Sequence, residues 1–122
     1  MEGEESASVV VSAAGVGSVV GCFRSRPSRE VPRAFAALCR QHGWPPADMW
    51  RKLTDMKRAW YEASNGAYIY YNTQDEHWWI DEPNGLGAYV APGAIHPTPS
   101  SSGWRPLEGK PLPLPDVAFR AA

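Results

Sequence analysis

The chain has 122 residues, a formal net charge of −1, and 43% apolar against 20% charged residues. That balance excludes wholesale disorder and a bundle of membrane spans, and the length allows one small domain with a modest core. The near-neutral total hides a polarity. Residues 24–58 hold nine Lys/Arg and three Asp/Glu, a local +6, whereas residues 59–122 hold three bases and seven acids, a local −4. A basic middle beside an acidic second half provides either two faces that attract each other or two surfaces for different partners.

The first apolar stretch, Ala7 to Phe23 (ASVVVSAAGVGSVVGCF), is short and Gly/Ser-diluted for a membrane span, and Glu2, Glu4 and Glu5 stand where a secretory signal carries bases. It reads as a soluble strand or flexible arm. The expected location is cytoplasmic, with an organelle after removal of a transit segment as the alternative. FRSRPSRE follows, a linker with Arg24, Arg26 and Arg29 around Pro27.

Val31, Phe35, Leu38 and His42 fall on one helical face, with Pro32 suited to a first turn and Gly43 to a stop. GWPPAD then restarts a helix. Met49, Leu53, Met56 and Trp60 form its apolar stripe, joined by Trp50, and Asn65-Gly66 closes it. The middle is therefore expected as a basic helical hairpin.

The periodicity then changes. Ala67–Asn72, His77–Asp81 and Gly87–Ala91 are rich in β-forming aromatics, and TQDE and EPNG between them are turns. The Pro-rich remainder cannot form an inner strand or helix. Trp104 is expected to anchor it, and Val117 and Phe119 to add a short closing strand. The expected fold is α+β: a helical hairpin followed by a three- to four-stranded antiparallel β-meander with a proline-rich C-terminal strap. Its segments are 1–29 (flexible arm and basic linker), 30–64 (hairpin) and 65–119 (aromatic meander with closing segment).

Cys22 and Cys39 make no disulfide framework and read as thiols. Cys39 and His42 are spaced C-x2-H, but a structural zinc site pairs two such close pairs, and His77 and His96 lie far downstream. No metal and no cofactor are expected. Asp75, Glu76, His77, Asp81 and Glu82 flank the paired tryptophans, yet they sit at strand ends where charge is expected for solvation. There is no phosphate loop and no nucleophile elbow, so no catalytic residue is assigned and the chain is read as a non-enzyme.

Alternation along a strand puts Tyr68 and Tyr70 on one face and Ile69 and Tyr71 on the other, and points Trp78 and Trp79 apart. A sheet with aromatics on both faces has two covered faces, or one core face and one recognition face. The second option makes the chain a non-enzymatic interaction module, either free-standing or a subunit of a larger assembly. Its partner site consists of Ile69, Tyr71, Trp78, Trp79 and Tyr89, and its ligand is a protein or proline-rich peptide, including its own Pro111–Pro115 segment (PLPLP). The alternative is RNA or single-stranded DNA held by Arg51, Lys52, Lys57 and Arg58 of the hairpin. No membrane partner is expected.

Residues Trp60 to Pro83 (WYEASNGAYIYYNTQDEHWWIDEP) resemble a WW domain, a three-stranded meander that binds proline-rich peptides. The resemblance implies core places for Trp60, Tyr70, Asn72 and Pro83 and ligand-facing places for Ile69, Tyr71 and Trp79. The intervals depart by one or two residues, and an odd shift exchanges faces, so Trp78 is the alternative to Trp79. The series NG-x-Y, YYN, WWI, AYVA and GW over Asn65–Val117 is also similar to an uncharacterised Trp/Tyr-rich β-meander module of algal and protist multidomain proteins.

Overall fold

A computed structural model describes residues 7–122. The architecture is one curled antiparallel sheet of eight strands. The strands are β1 (Ser8–Ala13), β2 (Gly21–Arg26), β3 (Trp60–Ala63), β4 (Tyr68–Asn72), β5 (His77–Asp81), β6 (Gly87–Pro92), β7 (Arg105–Pro106) and β8 (Asp116–Arg120). Two short helices, α1 (Arg33–Gln41) and α2 (Pro46–Leu53), are inserted between β2 and β3. The strand order is β7-β6-β5-β4-β3-β2-β1-β8, so seven strands run as a meander and the last one returns beside the first.

This corrects the expected α+β fold with its three- to four-stranded meander. The sheet dominates, and the segment expected as a flexible arm supplies β1 and β2; residues 1–6 of that arm lie outside the described residues. The reason is long-range pairing. Val9 lies between Phe23 of β2 and Phe119 of β8, and Val9, Val11, Phe23 and Val117 are all buried on the inner face. The apolar N-terminal run needs the distant C-terminal strand to cover it.

The second helix is also shorter than its apolar stripe. Asp55 accepts hydrogen bonds from the backbone N–H of Lys57 and Arg58 (2.8 and 2.9 Å), a local pairing that competes with continued helix. Met56 adopts a left-handed φ of 57°, and Trp60 enters β3 opposite Arg26.

Strand alternation divides the aromatics between two cores. Inside the curl lie Tyr61, Ile69, Tyr71, Trp78, Ile80, Tyr89 and Trp104, with the valines of β1 and β8. On the outer face Trp60, Tyr68 and Tyr70 are roofed by Ala34, Phe35, Cys39 and Trp50 of the helices. Trp50 is the keystone of this layer. Its ring meets Phe35 at 5.2 Å, Tyr70 at 5.3 Å and Trp60 at 6.0 Å, contacts worth roughly 1 kcal/mol each beyond area burial. The indole N–H of Trp50 donates to Ser28 O and that of Trp60 to Glu30 O, which ties the β2–α1 loop to both rings.

The strap from β7 to β8 crosses one end of the curl. Tyr89 Oη donates to Pro111 O (2.6 Å), and Gly15 N–H donates to Pro113 O (2.8 Å). A Cβ at Gly15 would lie 2.2 Å from Pro111 O, so only glycine admits the strap at this distance.

Candidate functional site

The helices roof only the part of the outer face formed by β3, β4 and β5. Beside them, β2 leaves its outward side chains bare. Cys22, Arg24 and Arg26 alternate around the buried Phe23, so period two alone brings two guanidinium groups to the surface. Arg33, at the first position of α1, reaches the same place from above, where it pairs with Glu62 Oε2 (3.2 Å) and donates to Ser64 O (2.9 Å). These residues and Ala63 line a surface cavity of about 410 Å³.

Three arginines and one carboxylate thus face one cavity. Glu62 stands opposite Arg24 in the β2–β3 register, and Arg26 pairs with Glu30 across an exposed turn. Both Arg26–Glu30 and Arg33–Glu62 are at the surface, where such pairs contribute on the order of 0–1 kcal/mol, so a phosphate can compete for either guanidinium. Arginine is the suitable residue for this, because its fixed donor fork matches phosphate oxygens two at a time.

The tip of the helical hairpin adds an exposed aromatic. Trp44 is 46% exposed and stacks on the exposed His42 ring with centroids 4.5 Å apart and planes 17° apart. Arg40, Arg51, Lys52 and Lys57 are also exposed on this segment, with Arg51 paired to Asp48 (3.1 Å).

Arg58, expected among the nucleic-acid contacts, is engaged inside the protein. It pairs with Asp55, donates to His96 O and Ala94 O (both 3.1 Å), and lies 3.9 Å over the Tyr71 ring. It holds the β6–β7 loop against the end of the curl. Burial pushes the Asp55 carboxyl up, but the Arg58 and Lys57 amides and the Arg58 guanidinium outweigh it and leave the group below its ordinary value.

The expected aromatic partner site falls in three places. Ile69, Tyr71 and Trp78 are interior, with Trp78 fully buried and edge-on to Tyr71 at 5.5 Å. Trp79 lies half-buried on the outer face, stacked on Tyr70 and donating to Asp75 Oδ2 (2.9 Å). The Tyr89 ring is interior and only its hydroxyl reaches the PLPLP strap. The contact is through the strap's backbone, and Leu112 and Leu114 point outward, 69% and 42% exposed. Both aromatic faces are therefore covered by the chain itself, the inner by the curl and the outer by the helices. The WW-like places divide the same way: Trp60 and Tyr70 lie under the helices, Ile69 and Tyr71 inside the curl.

A buried polar pair lies under the roof. Asp81 faces Tyr68 across β4 and β5, and Asp81 Oδ1 and Tyr68 Oη both lack a hydrogen-bond partner among the described residues. Burial pushes the Asp81 carboxyl up to about 7, and the neighbouring Glu82 adds to the shift. Burial likewise holds Tyr68 and Tyr70 well above the ordinary phenol value.

The groove arginines carried a signal in the sequence, the alternation Cys22-Phe23-Arg24-Ser25-Arg26. It was masked because Pro27 and the crowded bases read as linker. Comparison with protein-family models, curated proteins and solved structures finds no match to this chain.

Proposed function

We propose that the chain is a non-enzymatic binding module that holds single-stranded nucleic acid along the basic outer surface formed by β2 and the helical hairpin. The observation that carries this reading is the convergence of Arg24, Arg26 and Arg33 on one cavity, on sheet surface that the helices leave bare. The exposed Trp44–His42 stack on the same basic segment supports it, since a flat exposed ring accepts any unpaired base. Apart from Glu62, the acidic residues of the second half lie outside this cavity and disfavour a backbone path across β4–β6.

The test is fluorescence anisotropy of a labelled oligouridylate or oligothymidylate titrated with the intact chain at several salt concentrations. Three phosphate contacts give a log–log salt slope of about −2, or roughly twentyfold weaker binding between 50 and 200 mM salt. An Arg24→Gln/Arg33→Gln double variant, which sets no new carboxylate beside Glu62, should bind at least tenfold more weakly while its cooperative thermal transition is retained. Loss confined to Arg51→Glu/Lys52→Glu would move the contact to α2 and overturn the groove.

A protein partner is the second reading, favoured by one observation: the strap is pinned through its backbone while Leu112 and Leu114 face solvent. Nuclease-resistant capture that is lost in Leu112→Ser/Leu114→Ser, with the arginine variants unaffected, would favour it instead.

A further inference from the structure

Among the described residues, strand β8 is at the edge of the sheet and pairs on one side only, with β1. Among the described residues no backbone hydrogen bond reaches β8 from the other side. The opposite end of the sheet, β7, has two residues and does not close the curl onto it. A surface cavity of about 530 Å³ instead lies beside Phe119, walled by Pro92 of β6 and by Pro99 and Ser100–Gly103 of the β6–β7 loop. A free edge offers a row of unpaired backbone donors and acceptors, and proteins usually blunt it with a bulge, a proline or a charge that repels a second strand.

Strand β8 follows Pro115 and has a register shift against β1 at Asp116, but its charges do not repel a second copy of the strand. Its five residues are Asp116, Val117, Ala118, Phe119 and Arg120. Val117 is buried inward, and Phe119 is turned the same way, with its ring 6.3 Å from Tyr61 and 36% exposed. Asp116, Ala118 and Arg120 are exposed on the outer face. An antiparallel copy centred on Ala118 sets Asp116 opposite Arg120 of the second strand and Arg120 opposite its Asp116. On the inner face each Phe119 then meets a Val117. Within one chain Asp116 and Arg120 are four residues apart on an extended strand, about 13 Å, so they cannot satisfy each other. Toward an antiparallel copy of itself the strand is complementary at both charged positions.

We propose that β8 is the interface of a two-fold homodimer, in which the edge strands of two copies pair antiparallel about Ala118 and continue the sheet from one protomer into its partner. This dimer is independent of the nucleic-acid reading, because the arginine groove stays open on each protomer. Five residues a side make a small interface, so the association is weak and concentration-dependent. Opposite charges directly across an antiparallel pair attract, and like charges repel.

The experiment is sedimentation velocity over a concentration series with the full chain, Asp116→Arg, Arg120→Glu, the double exchange, and a mixture of the two single variants. The wild-type chain should dimerise. Each single variant places like charges opposite each other twice and should weaken association about tenfold or more. The double exchange restores both pairs. The mixture should form a heterodimer, because an Asp116→Arg strand matches an Arg120→Glu strand at both ends. Tryptophan fluorescence checks that each variant is folded; Ala118→Glu, which sets two carboxylates opposite each other at the two-fold axis on the exposed face, provides a second disruption should a charge variant fail that check. A wild-type chain that stays monomeric throughout, or a dimer indifferent to all the variants, overturns the proposal.

Discussion

Replacing Asp81 by Asn removes a titration without changing the side chain's size, and it isolates what the buried carboxyl does to stability. The folded-state pKa of Asp81 is about 7, against about 3.9 for an unfolded Asp. The folded protein therefore holds a proton that the unfolded chain has released. The stability linked to this group is fully present below pH ~4 and is lost as pH rises toward 7. Integrated from about pH 4.5 to 8, the loss is roughly 3 kcal/mol, a large share of the total for a domain this small. Urea unfolding of wild type and Asp81→Asn, followed by tryptophan fluorescence across that range, gives the difference directly, because every other titrating group cancels. The variant should gain about 3 kcal/mol on wild type between the two ends of the range. A difference between wild type and Asp81→Asn that stays constant with pH would mean that Asp81 ionises like a solvated carboxyl, and would refute the buried-pair argument.

Tyr71→Ala removes a ring buried against Trp78 and beneath Arg58, and should lower stability by roughly 3 kcal/mol in chemical denaturation. A binding defect without any stability loss would return Tyr71 to a partner face. Arg58→Ala breaks the Asp55 pair, two carbonyl contacts and the contact with Tyr71, and should cost about 2 kcal/mol, with faster hydrogen exchange in residues 93–98. Its acid counterpart follows from Asp55. A carboxyl held below its ordinary value contributes stability that is present above pH ~4 and lost as pH falls through the folded-state value, so Asp55→Asn should flatten the acid limb of the stability profile. Gly15→Ala drives a methyl group into the Pro111 carbonyl and should lower the melting temperature; Tyr89→Phe, which loses only the hydroxyl contact to the strap, should do so less.

Local patterns were legible and their partners were not. The alternation in YIYYN and HWWID located two strands and split their side chains between two faces, and Pro32, Gly43 and Pro45-Pro46 located the helical pair. The stripe from Met49 to Trp60 was misleading, because Asp55 binds the amides that the helix needed and Trp60 then serves the sheet. The N-terminal valines read as an arm, since nothing near them in sequence covers them; their neighbours are Phe23, Val117 and Phe119. That error concealed the proposed contact surface as well. Until Cys22 to Arg26 is recognised as a strand between β1 and β3, Arg24 and Arg26 are linker charges without a common face. The aromatic surplus of residues 65–85 fills the inner core and the outer layer under the helices, with Trp79 half-buried at the margin of that layer.

The proposed contact surface is tested most directly by a two-dimensional ¹H–¹⁵N titration of the labelled chain with a short oligouridylate. The account predicts shifts confined to the amides of residues 22–26, 33 and 62–64 and to the hairpin tip around Trp44, fading as salt is raised. Shifts concentrated in β4–β6 or along the strap, or none at low salt, would contradict it.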